Sequence, residues 1–175
     1  MQHGAVTRAA AGLDFSLATE VDAAELALLR TAVAERLTDE YGPGHWTGVV
    51  TDRTVLHGLK HARVLVARRG GRIVGTLRLA TKKPWAIDAT YFTKVRRPLY
   101  LTDMAVDPTV QRQGVGRQLL AEAAARARAW PADAIRLDSY DAAAGAGAFY
   151  AKCGFREAGR VTYRGTPLIY FEMVL

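Results

Sequence analysis

Cysteine is nearly absent. Cys153 is the single cysteine in 175 residues, so neither an internal disulfide nor a cysteine-built zinc cluster can form, and nothing else points to an oxidising compartment. Long apolar runs are missing too: nowhere do about 18 consecutive apolar residues occur, the length a membrane-spanning helix needs, so no membrane partner is expected. Met1 to Leu13 reads MQHGAVTRAAAGL, where a histidine, a threonine and an arginine interrupt any stretch that would serve as a signal-peptide core. A cytoplasmic location is the resulting expectation. Acidic residues are outnumbered, 17 Asp and Glu against 24 Lys and Arg, which leaves a formal charge of +7. The summed field therefore favours anionic partners such as phosphates, nucleic acid or acidic proteins, without choosing among them.

The remaining composition, 50% hydrophobic and 23% charged, is that of a soluble globular domain with a real core, and it excludes collagen-like, mucin-like and wholly disordered chains. No internal repeat is visible and no linker is long enough to separate two domains, so residues 1–175 are expected to form one.

Hydrophobic periodicity gives the element order. Leu13 to Ala18 is β-compatible, and Asp22 with Glu25 three residues later has the form of a capping box. The helix that follows runs towards Tyr41 with Leu26, Leu29, Val33 and Leu37 on one face, and Gly42-Pro43-Gly44 stops it. A further helical stretch spans Asp52 to His61. Ala62 to Ala67 and Arg72 to Ala80 form a hairpin across Arg69-Gly70-Gly71. Lys82 to Pro98 is a linker, and Leu99 to Val106 is a strand closed by Asp107-Pro108. Gln111 to Trp130 is a helix whose stripe is Val115, Leu119, Ala123 and Ala127, bounded by Pro131. Ala134 to Ser139 is a strand, Ala142 to Lys152 a short helix ended by Gly154, and Glu157 to Tyr163 with Pro167 to Val174 a pair turning at Arg164-Gly165. The order implies an α+β fold, a mixed sheet with a central βαβ unit and helices packed over it.

The segment richest in chemistry is LTDMAVDPTVQRQGVGR, Leu101 to Arg117. Gly114 and Gly116 fall where a strand turns into a helix, and glycine inside a helix costs about 1 kcal/mol relative to alanine. Two of them suggest that something approaches the backbone closely, and the free N–H groups of a helix start suit a diphosphate, with Arg112 and Arg117 adding charge. A tight strand-to-helix connection with no ligand explains the glycines equally well.

Gln111-Arg112-Gln113-Gly114-Val115-Gly116 resembles the Q/R-x-x-G-x-G/A signature of the GNAT superfamily of acyl-CoA N-acyltransferases. Met104-Ala105-Val106-Asp107-Pro108 precedes it as that family's L-A-V-D-P does, and Phe149 to Phe155 is similar to the later Y-E-K-x-G-F. The element order from about residue 13 onward also resembles the GNAT fold. It implies a mostly antiparallel sheet of six or seven strands around the βαβ unit. No Walker lysine follows the glycines, and the acidic residue of a Rossmann fingerprint has no clear counterpart.

The resemblance implies acetyl-CoA as cosubstrate. Arg112, Gln113, Gly114, Val115, Gly116 and Arg117 would hold the pyrophosphate mainly through backbone N–H groups, and Met104, Ala105 and Val106 would pair with the pantetheine arm. The strands Leu99 to Val106 and Ala134 to Ser139 would splay apart, freeing N–H groups to polarise the thioester. Tyr150 matches the tyrosine near the cofactor sulfur, a candidate acid for the departing thiolate. An amine acceptor arrives protonated, so a base is needed, and Asp138, twelve residues before Tyr150, and Asp103 on the other central strand are the two candidates. The asparagine common seven residues before the tyrosine is Ala143 here, which leaves Asp141 as an alternative contact to the arm. Gly145 and Gly147 permit either close packing on the cofactor or a loose helix.

Other features carry less. Cys153 reads as a small buried filler rather than an acyl carrier. His57 and His61 share a helix face with no zincin glutamate and no third ligand, so no metal is expected. Trp85, Tyr91 and Phe92, interleaved with basic residues between Lys82 and Arg97, are candidates for the acceptor side or for stacking on single-stranded nucleic acid. The leading expectation is an N-acetyltransferase acting on a primary amine, most simply a small molecule, by direct attack in a ternary complex. A protein N-terminus or an aminoacyl-tRNA is the second acceptor class. A non-catalytic acyl-CoA- or nucleic-acid-binding module is the alternative from outside enzymology, and a homodimer is left open.

Overall fold

The computed structural model describes residues 12–175. They build one seven-stranded sheet in the order β1-β2-β3-β4-β5-β7-β6, with β1 Asp14–Leu17, β2 Arg63–Arg69, β3 Arg72–Ala80, β4 Pro98–Val106, β5 Ala134–Tyr140, β6 Arg156–Tyr163 and β7 Thr166–Val174. Every neighbouring pair is antiparallel except β4 and β5, which are parallel and joined by helix α3, Val115–Ala129, in the expected βαβ unit. The α+β reading holds.

Each face of the sheet is covered by different elements because the strand residues alternate. Leu65 and Ala67 of β2 turn towards α3, where Val115, Leu119, Ala123 and Ala127 are buried together as the four-residue spacing predicts. Val64 and Val66 turn to the other face, against α1, Ala23–Tyr41, and α2, Asp52–His61. Further along that second face, Ile87 and Phe92 of the β3–β4 connection pack on Tyr100 and Tyr170. Among the described residues, no helix is long and apolar enough to cross a membrane.

Strand ends move by one or two residues from the sequence reading, and the larger differences in the helices and their caps have local reasons. Asp22 stands at the N-cap of α1 as expected, but without a box to Glu25: Thr19 N–H donates to Asp22 Oδ2 at 2.9 Å across the 3-10 turn Glu20–Asp22, while Glu25 accepts from Ile73 N–H at 2.7 Å and so ties α1 to β3. Helix α3 starts at Val115 rather than Gln111, because Arg112 and Gly114 both have positive φ, 62° and 82°. Helix α4 is only Gly147–Lys152. Residues 142–146 turn instead, with Gly145 N–H bonded to Ala142 O at 2.8 Å.

The β3–β4 connection is anchored rather than loose. Thr93 N–H donates to the buried Glu172 carboxylate at 3.2 Å, Arg136 bridges Glu172 at 3.1 Å and also donates to Thr93 O, and Arg156 approaches Glu172 at 3.2 Å. Burial pushes the Glu172 carboxyl up, but the hydrogen bonds from Thr93 and Arg136 and the guanidinium charge prevail and hold it below the usual range.

Candidate active site

The opening in the sheet follows from its register. β4 and β5 pair only at Pro98 with Ala134, Leu99 with Ile135 and Tyr100 with Arg136. Beyond that point β4 stays on β3 and β5 stays on β7, so the facing backbone edges of β4 from Leu101 and of β5 from Leu137 have no strand partner. A bulge in β4 adds to the divergence. Thr76 pairs with Ala105 but Arg78 with Thr102, leaving two residues of β4, Asp103 and Met104, opposite Leu77 alone, and Asp103 adopts φ 53° there. The result is a cleft of about 480 Å³ between the diverging strands, roofed by α1 and the loop after it.

Met104 and Ala105 line this cleft, as do Asp103, Asp138 and Tyr150. Val106 sits at its end, paired with Gly75 and accepting a hydrogen bond from Gln111 Nε2 at 3.1 Å. Arg112 to Arg117 form the loop and first helical turn immediately beyond. They connect to the cleft through Gly116, where an added Cβ would lie 3.5 Å from the Met104 methyl. The first intrahelical bond of α3 runs from Gln118 N–H to Gly114 O, so the N–H groups of Val115, Gly116 and Arg117 have no helical acceptor. Gly114 takes the left-handed conformation that glycine tolerates best. Gly116 has a plainer reason than ligand approach: a Cβ there would come within 2.9 Å of the Phe149 ring. Gln113 is held by Arg69, whose guanidinium donates to Oε1 at 2.9 Å.

Tyr150 arrives from α4, packed against Phe149, Phe155 and Phe171, and its hydroxyl donates to Met104 Sδ at 3.6 Å. Burial, with the Asp138 charge in support, pushes its phenol well above the usual tyrosine range, so the group is protonated at any physiological pH. Gly145 and Gly147 pack on the protein itself. A Cβ on Gly145 would fall 1.7 Å from Tyr140 O, and one on Gly147 would touch Phe171 and Ile169 at 3.4–3.5 Å.

The two carboxylates differ. Asp103 is ion-paired twice, with Arg30 of α1 at 3.0 Å and with Arg78 of β3 at 3.5 Å. Asp138 has no ion pair and no side-chain hydrogen bond among the described residues. Burial raises its pKa, against smaller lowering influences from its own backbone N–H and then from His45. A carboxyl raised this way is matched to proton transfer.

Several cleft residues escaped the sequence reading. Val33 and Leu37, read as core, are half-buried and line the cleft, together with Arg30 and with Val49 and Val50 of the loop after α1. His45, Trp46 and Tyr140 form a ring cluster at 4.9–5.9 Å centroid distances. The end of the α1 stripe, running on past what the core requires, was the available signal. By contrast Trp85, Tyr91 and Phe92 do not line the cleft: Phe92 stacks on Tyr170, Tyr91 packs edge-on to the same ring, and Trp85 is 86% exposed. Asp141 pairs with Arg160 at 3.2 Å. Cys153 is partly buried against the core, and burial raises its thiol pKa. The His57 and His61 rings lie 4.6 Å apart, with no cluster of three metal-ligating side chains among the described residues.

Comparison with known proteins agrees with this geometry. The family model described as an acetyltransferase (GNAT) domain matches residues 60–157, more than half of the chain. No curated protein matches. Among solved structures, ribosomal-protein-alanine N-acetyltransferase from Brucella melitensis is 22% identical at TM-score 0.70, over 93% of this chain and 99% of that one. PaiA N-acetyltransferase from Thermoplasma acidophilum, solved with coenzyme A, is 14% identical at TM-score 0.72, over 94% and 99%. A GNAT-family acetyltransferase from Streptococcus pneumoniae is 21% identical at TM-score 0.69, over 94% and 99%. At these identities the likeness to solved structures is one of fold. The matched family model carries the assignment further: the chain belongs to the GNAT acetyltransferases.

Proposed function

We propose that the chain works as a single cytoplasmic catalytic domain that acetylates the primary amine of a small molecule by direct attack in a ternary complex. One observation carries this reading: the diverging β4 and β5 edges bring an unpaired carboxylate, Asp138, and a buried phenol, Tyr150, into one cleft that ends beside the glycine-bearing start of α3. The residues present fit the donor. The unbonded N–H groups of the α3 first turn suit a pyrophosphate, with Arg112, Gln113 and Arg117 around them. The free edge of β4 at Met104, Ala105 and Val106 suits an amide-bearing arm.

Acetyl-CoA, when bound, supplies an activated thioester carbon to which the amine nitrogen bonds as the C–S bond breaks. Asp138 takes the proton that an alkylammonium, with a pKa of about 10, carries into the cleft. The Tyr150 hydroxyl gives its proton to the departing sulfur, and the second proton released by the nitrogen as the amide forms restores the phenol. Unpaired backbone N–H groups of β4 stabilise developing negative charge on oxygen. Asp103 acts by position, fixing Arg30 on the cleft wall. Holding both reactants in one cleft supplies the proximity term.

Calorimetric titration of acetyl-CoA into the pure protein tests the reading, with Gly114→Glu as the control that places bulk and negative charge at the pyrophosphate seat. Saturable binding that the variant loses is expected. Absence of binding by the wild-type chain overturns the assignment of the donor site.

A further inference from the structure

The charged groups along the cleft do not balance within themselves. Arg30 and Arg78 share the single carboxylate of Asp103, one on each oxygen, at 3.0 and 3.5 Å. Neither guanidinium has another ion pair or hydrogen bond among the described residues, and Arg78 Nε is buried with no partner at all. Of the two, Arg30 lines the cleft with Asp103, while Arg78 lines a neighbouring pocket that it shares with both, so around this one carboxylate stand two half-buried cations, with side chains 28% and 32% exposed. On β5 the reverse holds, since Asp138 faces the same cleft with no cation paired to it. Excess positive charge on one side and an unpaired carboxylate on the other is the complement of a zwitterion.

Between them lies apolar surface that the fold leaves uncovered. Val33 and Leu37 on α1 run along the cleft, and Val49, 86% exposed, stands beside them with Val50 and the Trp46 ring. A polyamine finds only one uncommitted carboxylate and meets the Arg30 charge. A simple alkylamine satisfies Asp138 and the apolar wall but leaves the guanidinium excess unanswered.

We infer that the acceptor is an amino acid with an apolar side chain, its reacting amine at Asp138, its carboxylate on the free donors of Arg30, and its side chain against the Val33–Leu37–Val49 wall. This rests on the acetyltransferase reading above. The planar guanidinium fork is suited to a carboxylate, and Asp103 holds it in place by one nitrogen while the others stay available.

Matched pairs that differ only by the carboxylate test the inference. With acetyl-CoA as donor and coenzyme A thiol release as readout, L-phenylalanine is compared with 2-phenylethylamine and L-leucine with 3-methylbutylamine, with spermidine as the polycation. The amino acid of each pair should show kcat/KM higher by about tenfold or more, the size of one charge-assisted contact. Arg30→Met should bring that ratio towards one, and Arg30→Lys should restore part of it. Amines used as well as the amino acids, a preference that survives Arg30→Met, spermidine as the best acceptor, or acetyl-CoA binding with no member of either pair acetylated would each overturn the inference. Calorimetry on the same preparation separates the two levels, since failure to bind acetyl-CoA removes the underlying reading instead.

Discussion

Replacing Asp138 by asparagine separates its chemical task from its structural cost. The side chain keeps its size, and no ion pair is broken, because Asp138 has none among the described residues. Removal of a positioned general base costs about 10²–10⁴ in rate, or ~3–5 kcal/mol of transition-state stabilisation. Stability should move the other way. Burial raises the folded-state pKa above the value of 3.8 that an ordinary aspartate shows. The neutral form is therefore the one the fold prefers, and the associated stability is complete below pH 3.8 and is lost as pH rises through the raised folded value. Asparagine does not ionise, so Asp138→Asn should melt at or above the wild-type temperature at pH 7, and the two curves should converge towards pH 4. Initial rates of thiol release across pH give the companion signature, a wild-type acid limb centred above the ordinary aspartate range that the variant lacks. A variant that retains full rate, or one that melts several degrees lower at pH 7 than at pH 4 relative to wild type, would refute the reasoning.

Three further substitutions probe the neighbouring parts. Tyr150→Phe should lower kcat by about 10²-fold, while the loss of one weak O–H···S contact moves the melting temperature by no more than about 4 °C; unchanged turnover removes the general acid. Gly145→Ala must displace the Tyr140 carbonyl, which lies 1.7 Å from the new Cβ. Thermal melts should fall by roughly 2–12 °C for an overpacking cost of about 1–3 kcal/mol. Glu172→Ala strands the buried Arg136, at a cost of about 3–5 kcal/mol and roughly 6–20 °C. Because the Glu172 pKa is lowered in the fold, that stability is present above pH 4.5 and is lost as pH falls through the folded value, so the gap between wild-type and variant melts should narrow under acid.

The fold was legible where one physical cause acts locally. Val115, Leu119, Ala123 and Ala127 recur at four residues and all face the sheet, and the hairpin at Gly70-Gly71 uses the positive φ those glycines supply. Side-chain partners were misread where distant groups intervene: Glu25, placed to cap its own helix, is taken by the backbone of Ile73. The glycines were ambiguous for the same reason. Gly116 and Gly145 yield to a ring and a carbonyl that belong to other elements, and no local pattern tells such a contact from a ligand's approach.

The α1 side of the cleft was the least legible because its residues form a wall only through what the sheet does not do. Arg30, Val33 and Leu37 continue an ordinary amphipathic face, and they become a cleft wall only because β4 leaves β5 after Tyr100. The aromatic run between Lys82 and Arg97 looked more chemical, yet Glu172 and Arg136 pin its end at Thr93 and Phe92 stacks on Tyr170. Asp103 and Asp138 show the same dependence in charge. The sequence offered both as candidates, Asp138 by its spacing to Tyr150 and Asp103 by its place on the other central strand, and only the structure shows that Asp103, at the β4 bulge with positive φ, has two guanidinium partners while Asp138 has no ion pair among the described residues. Which carboxylate stands unpaired in the cleft is therefore set by the neighbours that strand register delivers, a property of pairing between strands far apart in the chain.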